Sequence, residues 1–325
     1  MSKLFIYIPT YNRPAALTSQ LTALLPQVAK FPNEVRLMIN DNASTDKISR
    51  EILDKYSSSP NIEFRSNGAN VGGNANIAFG FIFAQPTDDF LWILSDNDIV
   101  SPNALDYLLE QIDTSVDFYC FNNTVAEPKV IDYPWSKGWM TPMDWRMGLI
   151  SDALYNVKSV KESSEAAFYF HNSSFPHLAV AAAAAKKLGV VKFKILPRNK
   201  INNDLYRSDE HPTDYSLAHV CMPLLVPLFP ADEAKSFSIS WLKGHGANLY
   251  RNRNRHYHLY LQSKATLSYY GGWQAKILLL IMWPVYFLSI PTLFVRQKLV
   301  TAAKENLSVS MLDKLKNFRR IICGR

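Results

Sequence analysis

Four residues, Ser95-Asp96-Asn97-Asp98, carry the clearest chemical signal in this 325-residue chain. Two carboxylates flanking one asparagine can hold a hard divalent cation, Mn²⁺ or Mg²⁺, through oxygen ligands. Such a site needs few protein ligands, because the ion keeps waters and shares oxygens with a phosphorylated substrate. Two further polar clusters have the same character: Pro9-Thr10-Tyr11-Asn12-Arg13 and Asn40-Asp41-Asn42-Ala43-Ser44. Taken singly, each is also what a turn or a helix cap uses, since Asn, Asp and Ser close turns through their side chains. The Gly72-Gly73 pair permits close approach of backbone to a ligand or a tight entry into a helix, and these two uses are compatible. It lacks the Gly-Lys-Ser/Thr ending of a P-loop.

The elements that must position these clusters are legible from periodicity. Lys3–Tyr11 reads as a buried strand, and Pro14 opens a helix over Ala15–Val28. Strands follow at Val35–Ile39, Ile62–Arg65, Phe90–Leu94 and Val116–Phe121. Helices are expected after a Ser44 or Thr45 cap, over Asn74–Phe83, and after Pro102. Strands alternating with helices predict an α/β fold, a mostly parallel sheet covered by helices on both faces. Ligands of such sheets sit beyond the carboxyl ends of the strands, where all three polar clusters fall. Farther on, a Trp-rich loop (Trp135, Trp139, Trp145), a strand-like Ala167–Phe170, an Ala-rich helix over Leu178–Leu188 and a strand at Val191–Leu196 make a less regular second half. The expected division is 1–125, which carries the polar clusters, 126–237 as the substrate half of the same globule, and 238–325 as a basic, apolar helical region.

These motifs resemble family 2 glycosyltransferases of the GT-A fold. The resemblance is carried by Ile8–Arg13, Asn40–Ser44, Asn70-Val71-Gly72-Gly73-Asn74-Ala75-Asn76 and Leu94–Asp98, in order, over about Lys3 to Asn123. It implies a nucleotide-sugar donor site formed by Pro9, Thr10, Tyr11, Arg13, Asp41, Asn70, Gly72, Asn76 and Asp96. Asp41 would contact the base, and the Pro9–Tyr11 stretch would line its pocket. Asp98, with Asp96, would hold Mn²⁺ or Mg²⁺. The activity implied is inverting transfer of a sugar to a hydroxyl of a glycan or lipid-linked acceptor, in cell-surface polysaccharide synthesis.

The family usually supplies an Asp as catalytic base at the start of a helix in the second half. In the matching stretch, Phe175-Pro176-His177-Leu178, that place falls to His177. A neutral imidazole can accept a hydroxyl proton near pH 7. His171, Asp152, Glu165, Asp209, Glu210 and Asp214 are the other candidates. Two rivals use similar parts: a nucleotidyltransferase, which would normally show a Gly- and Lys-rich loop where Asn12-Arg13-Pro14 stands, and a non-catalytic sugar-nucleotide-binding scaffold.

Charge is segregated along the chain. From Trp241 onward there are 14 basic and 2 acidic residues, whereas the first 240 hold 21 basic and 26 acidic. The stretch Ile277–Val295 has no charge, contains Pro284 and Pro291, and is flanked by basic residues on both sides. It suits a kinked or shallow membrane insertion better than a span. The amphipathic basic tail Leu307–Ile322 suits an anionic surface. The apolar neighbour favours membrane over nucleic acid as the partner of this positive region. With no signal peptide and three unpaired-looking cysteines, the expected place is the cytoplasmic face of the plasma membrane.

Overall fold

The structure is a computed structural model and describes residues 2–46, 59–135, 146–202, 217, 220–252 and 254–280. The expected helix after Ser44, the prolines of the apolar stretch and the basic tail lie outside the described residues, as do Trp139, Trp145, Asp209, Glu210 and Asp214.

The described strands are β1 (Ser2–Thr10), β2 (Val35–Asp41), β3 (Ile62–Ser66), β4 (Asp88–Ile93), β5 (Phe118–Asn122), β6 (Lys129–Pro134), β7 (Ala153–Asn156) and β8 (Val190–Pro197). They form one sheet in the order β3-β2-β1-β4-β7-β5-β8-β6. The first four strands are mutually parallel, and β7 and β6 run against their neighbours. Helices are α1 (Pro14–Lys30), α2 (Gly73–Phe83), α3 (Ala104–Gln111), two single turns α4 (Val157–Val160) and α5 (Ala166–Tyr169), α6 (Pro176–Leu188) and α7 (Ala231–Arg251). A further helical stretch, α8, covers residues 257–280. The fold is thus α/β and GT-A-like, with a mixed, mostly parallel sheet.

The central strand β1 is an unbroken apolar run because both its faces are covered. Leu4, Ile6 and Ile8 face α1 and α3 in one core, and Phe5 and Tyr7 face α2 and α6 in the other. Alternation along a strand sends successive side chains to opposite faces, so one apolar run serves two cores. The α2 backbone passes so close to β1 that a Cβ on Gly80 would lie 2.9 Å from the Tyr7 ring.

Two features depart from the sequence expectation. The apolar Ala167–Phe170 run falls in a helical turn, not a strand, with Ala167 fully buried beside α6. A four-residue apolar run has too little length for its period to decide. The strands β6 and β7 were not expected: β7 has only four residues, and β6 is an edge strand carrying Lys129, Asp132 and Pro134, the composition that protects an open edge. In the basic stretch from Arg251 to His258, Arg251 ends α7 and His258 lies within α8. Among the described residues beyond 238, Trp241, Leu249, Tyr260 and Leu267 belong to the main core. Among the described residues no helix is long and apolar enough to cross a membrane.

Candidate active site

The parallel register Pro9↔Asn40, Thr10↔Asp41 and Asp41↔Ser66 brings the ends of β1, β2 and β3 level. The Ser95–Asp98 turn follows β4 at the same edge. Thr10 Oγ1 donates to Asp96 Oδ2 at 2.8 Å, and Arg13 donates to Asp96 Oδ1 at 3.1 Å. Asp96 is buried, and burial pushes its carboxyl above the usual range although Arg13 and Thr10 pull it down. Each of its oxygens accepts a hydrogen bond from protein, which anchors Asp96 in the turn beside Asp98.

Asparagines connect β2 to the loop before α2. Asn40 Nδ2 donates to Asn76 Oδ1 at 2.6 Å, and Tyr7 OH donates to the Asn76 carbonyl at 2.8 Å. Asn42 Oδ1 accepts from Asn67 Nδ2 and from the Val71 amide, both at 3.0 Å, while its Nδ2 reaches Asn70 Oδ1 at 2.7 Å. Asn70 Oδ1 also takes the Gly72 amide at 2.8 Å. Gly72 has φ 86°, a conformation that glycine adopts without steric cost. Asn12, at φ 50°, receives the Thr45 amide on its Oδ1, and Asp41 receives the Ser44 amide and hydroxyl. Asp41 is thus half-buried as the acceptor of its own turn, with Pro9, Tyr11, Asn70 and Gly72 exposed or partly exposed around it. Asn76 is a buried strut beneath this loop rather than a surface contact. Replacing Asn76 by Ala should cost about 1–3 kcal/mol, because the Asn40 amide loses its short partner inside the protein. Thermal unfolding would read the loss, and an unchanged Tm would show the network to be dispensable.

Asp98 differs from its neighbour. It is half-buried, and among the described residues its carboxylate has no partner. Its charge raises the carboxyls of both Asp96 and Asp152. Asp152 is buried and held by Arg198, Nε to both oxygens at 2.8 and 3.0 Å, and by Asn202 at 3.0 Å. Burial nonetheless lifts its carboxyl above the ordinary value. Three carboxylates therefore share the neighbourhood, Arg13 and Arg198 each answer one, and Asp98 is left over. That fits one protein ligand to a divalent cation whose other positions come from diphosphate and water. Among the described residues no three acids, histidines or cysteines are grouped to hold a metal by themselves.

The turn is clamped on both sides. Gln20 and Gln27 of α1 accept the Val100 and Leu105 amides, and Ser101 pairs with Ile201 across the Val100–Asn202 bridge. Arg198, Asn202 and Ser151, whose hydroxyl takes the Ser95 amide at 2.9 Å, were missed by sequence reasoning. Arg198 had a usable signal, since it follows the carboxyl end of β8 as the other clusters follow theirs.

His177 stands at the start of α6 as expected but faces inward. It is 1% exposed, its Nε2 lies 3.2 Å from the Gly148 carbonyl, and burial pushes its pKa down to about 4. A ring so enclosed is a weak base, which counts against the expected role. Its geometry suits it to tying α6 to the 146–152 segment. Of the alternatives, Asp152 is occupied by Arg198, Glu165 is exposed at the start of α5, and His171 is exposed with Nδ1 against the Phe168 carbonyl at 2.6 Å.

A mixed sheet with polar clusters gathered at the carboxyl ends of β1, β2 and β4 defines a GT-A-like α/β domain. The model of "Glycosyl transferase family 2" matches residues 5–171, just over half of the chain, and the chain belongs to that family. It is 32% identical to the abequosyltransferase RfbV of Salmonella typhimurium over 114 residues, which is 34% of this chain and 33% of that one. The match thus spans about a third of that relative's length. Staphylococcus aureus TarS 1–349 has the same fold, with TM-score 0.54 and 15% identity over 85% of this chain and 83% of that one. Its complex with UDP-GlcNAc gives TM-score 0.56 at 14% identity and the same coverage.

Proposed function

We propose that this family 2 glycosyltransferase takes a sugar from a nucleotide-sugar donor and passes it, with inversion, to a hydroxyl of a glycan or lipid-linked acceptor during cell-surface polysaccharide synthesis. The observation that carries the reading is Asp98, a carboxylate without a partner among the described residues, at the strand-end edge beside the Thr10–Asp96–Arg13 cluster. The similarity to an abequosyltransferase and to a TarS structure holding UDP-GlcNAc supports the donor class. Asp41 and the Pro9–Tyr11 stretch receive the nucleotide, with Asn70 and Gly72 presenting backbone near the diphosphate. Arg13 keeps Asp96 in place and adds positive charge at the same edge. A bound Mn²⁺ or Mg²⁺ would neutralise the charge that develops on the departing diphosphate. We place the chain at the cytoplasmic face of the plasma membrane, attached through its C-terminal region.

The base that activates the acceptor is, in this proposal, one of Asp209, Glu210 and Asp214. In sequence they follow Asn202, which pairs with Val100, two residues beyond Asp98. Direct attack of the acceptor oxygen on the anomeric carbon then breaks the sugar–phosphate bond as that carboxylate takes the proton.

The test is hydrolysis of UDP-, GDP- and dTDP-sugars with Mn²⁺, where slow release of one sugar is the expected result. Nucleoside triphosphate consumption with pyrophosphate release would replace this reading with nucleotidyl transfer, and donor binding without turnover in any acceptor extract would leave a scaffold. In the same assay with acceptor, one of Asp209→Asn, Glu210→Gln and Asp214→Asn should abolish transfer while His177→Ala, if folded, retains it. The opposite pattern would return the base to His177.

A further inference from the structure

Exposed apolar side chains are unevenly distributed over this protein. Of the fourteen large hydrophobics that stand exposed among the described residues, six lie within 257–280: Tyr257, Leu261, Tyr269, Trp273, Ile277 and Leu280. The same stretch has a second, packed face. Tyr260, Ser263, Leu267, Gly271 and Ala275 are buried, and the Ser263 hydroxyl donates to the Val220 carbonyl. At Gly271 the approach to α7 is so close that a Cβ there would lie 3.1 Å from that of Ser238. The helical stretch is therefore seated firmly on the body, and its outer face is a property of the folded protein rather than of a loose terminus.

That outer face has the chemistry of a water–lipid boundary. Tyr269 is 79% exposed, Trp273 69% and Leu280 71%. Tyr and Trp offer an apolar ring and a polar tip, which suits them to the headgroup level of a bilayer. Lys276 is exposed on the same side, Lys264 is partly exposed five residues before Tyr269, Arg255 stands just before the stretch, and Arg251 ends α7. From Trp241 to Leu280 the sequence has no Asp or Glu at all. Gly272, at φ 61°, allows the backbone to bend where the exposed aromatics cluster.

We infer that the outer face of α8 is a docking surface for an anionic lipid bilayer, lying in the plane of the interface with Tyr269, Trp273 and Leu280 inserted and the cations at the headgroups. The inference rests on the membrane attachment proposed above and assigns that attachment to α8, which overlaps the apolar stretch only at Ile277–Leu280 and excludes the basic tail. Charge decides between lipid and a second copy of the chain. In a symmetric dimer the patch meets itself, which would set Lys276 against a face that has no carboxylate to receive it. An anionic surface answers the same charges, at about 1 kcal/mol per nearby Lys or Arg.

The test is flotation of the full-length chain with vesicles of phosphatidylcholine alone and with phosphatidylglycerol added. Binding to the anionic vesicles only, weakened at least about tenfold in Tyr269→Ser/Trp273→Ser/Leu280→Ser and again in Lys264→Glu/Lys276→Glu, is the expected result. Each variant should keep the wild-type rate of donor hydrolysis in solution, which shows the domain folded. Failure of the glycosyltransferase reading would show in that rate and not in the flotation. Undiminished binding of the serine variant would overturn the inference and assign attachment to residues 281–325. So would an absence of binding to either vesicle, or a dimer that the serine variant dissolves.

Discussion

Replacing Asp98 by Asn should lower kcat for sugar transfer at least about a hundredfold, the loss of roughly 2.7 kcal/mol of transition-state stabilisation. The substitution keeps size and removes charge at the carboxylate that no described residue neutralises. Its effect on folding should be small and of opposite sign. Asp98 raises the carboxyls of both Asp96 and Asp152, so deleting its charge relieves repulsion. Unfolding free energy should therefore stay within about 0.5 kcal/mol of wild type or rise slightly. Asp96→Asn makes the contrast. It disturbs the contacts to Thr10 and Arg13 and should lower activity and stability together. The measurement is kcat with Mn²⁺ titration beside thermal unfolding. An Asp98→Asn enzyme that keeps more than a tenth of its activity would remove Asp98 from the diphosphate end of the site.

The second large effect concerns stability. Arg198→Met leaves Asp152 buried with only Asn202 to answer it, and breaking a buried pair from one side costs about 3–5 kcal/mol. At roughly 2–4 °C per kcal/mol, Tm should fall by roughly 6–20 °C. The pH dependence carries the sign. Asp152 already titrates above its ordinary value, and removing Arg198 raises it further. A group whose pKa is higher folded than unfolded binds its proton more tightly in the folded state. Its contribution is fully present below the unfolded pKa and is lost as pH rises through the folded one. The deficit of Arg198→Met should thus be larger at pH 8 than at pH 5, and Asp152→Asn/Arg198→Met should recover part of it. A deficit that does not change with pH would mean that the guanidinium contributes packing rather than charge. Because Asn202 shares Asp152 and bridges Val100, the single variant should also loosen the strand behind the Asp98 turn.

How much of this was legible in advance follows from the range of the interactions concerned. The parallel strands of the donor half announce themselves because burial on both faces demands continuous apolar runs, such as Leu4–Ile8 and Phe90–Leu94. The polar clusters at their ends are local in sequence, so their type and spacing could be read directly. Strands β6 and β7 escaped notice because one is a polar edge and the other is four residues wedged between β4 and β5. Neither has a period of its own.

The sequence by itself determined the class of fold, the edge of the sheet at which ligands would sit, and the acids available there. Those features depend on hydrophobic pattern and turn chemistry within a few residues. Which acid is free was decided only by tertiary structure. Asp96 is taken by Thr10 and Arg13 from 86 and 83 positions away, and Asp152 by Arg198 from 46. His177 is enclosed by the 146–148 turn that its own helix packs against. Sheet register sets these partners, and no local pattern encodes it. The Asp96–Asp98 motif contains two equivalent carboxylates as sequence. The fold makes one of them a structural anchor and leaves the other without a partner among the described residues.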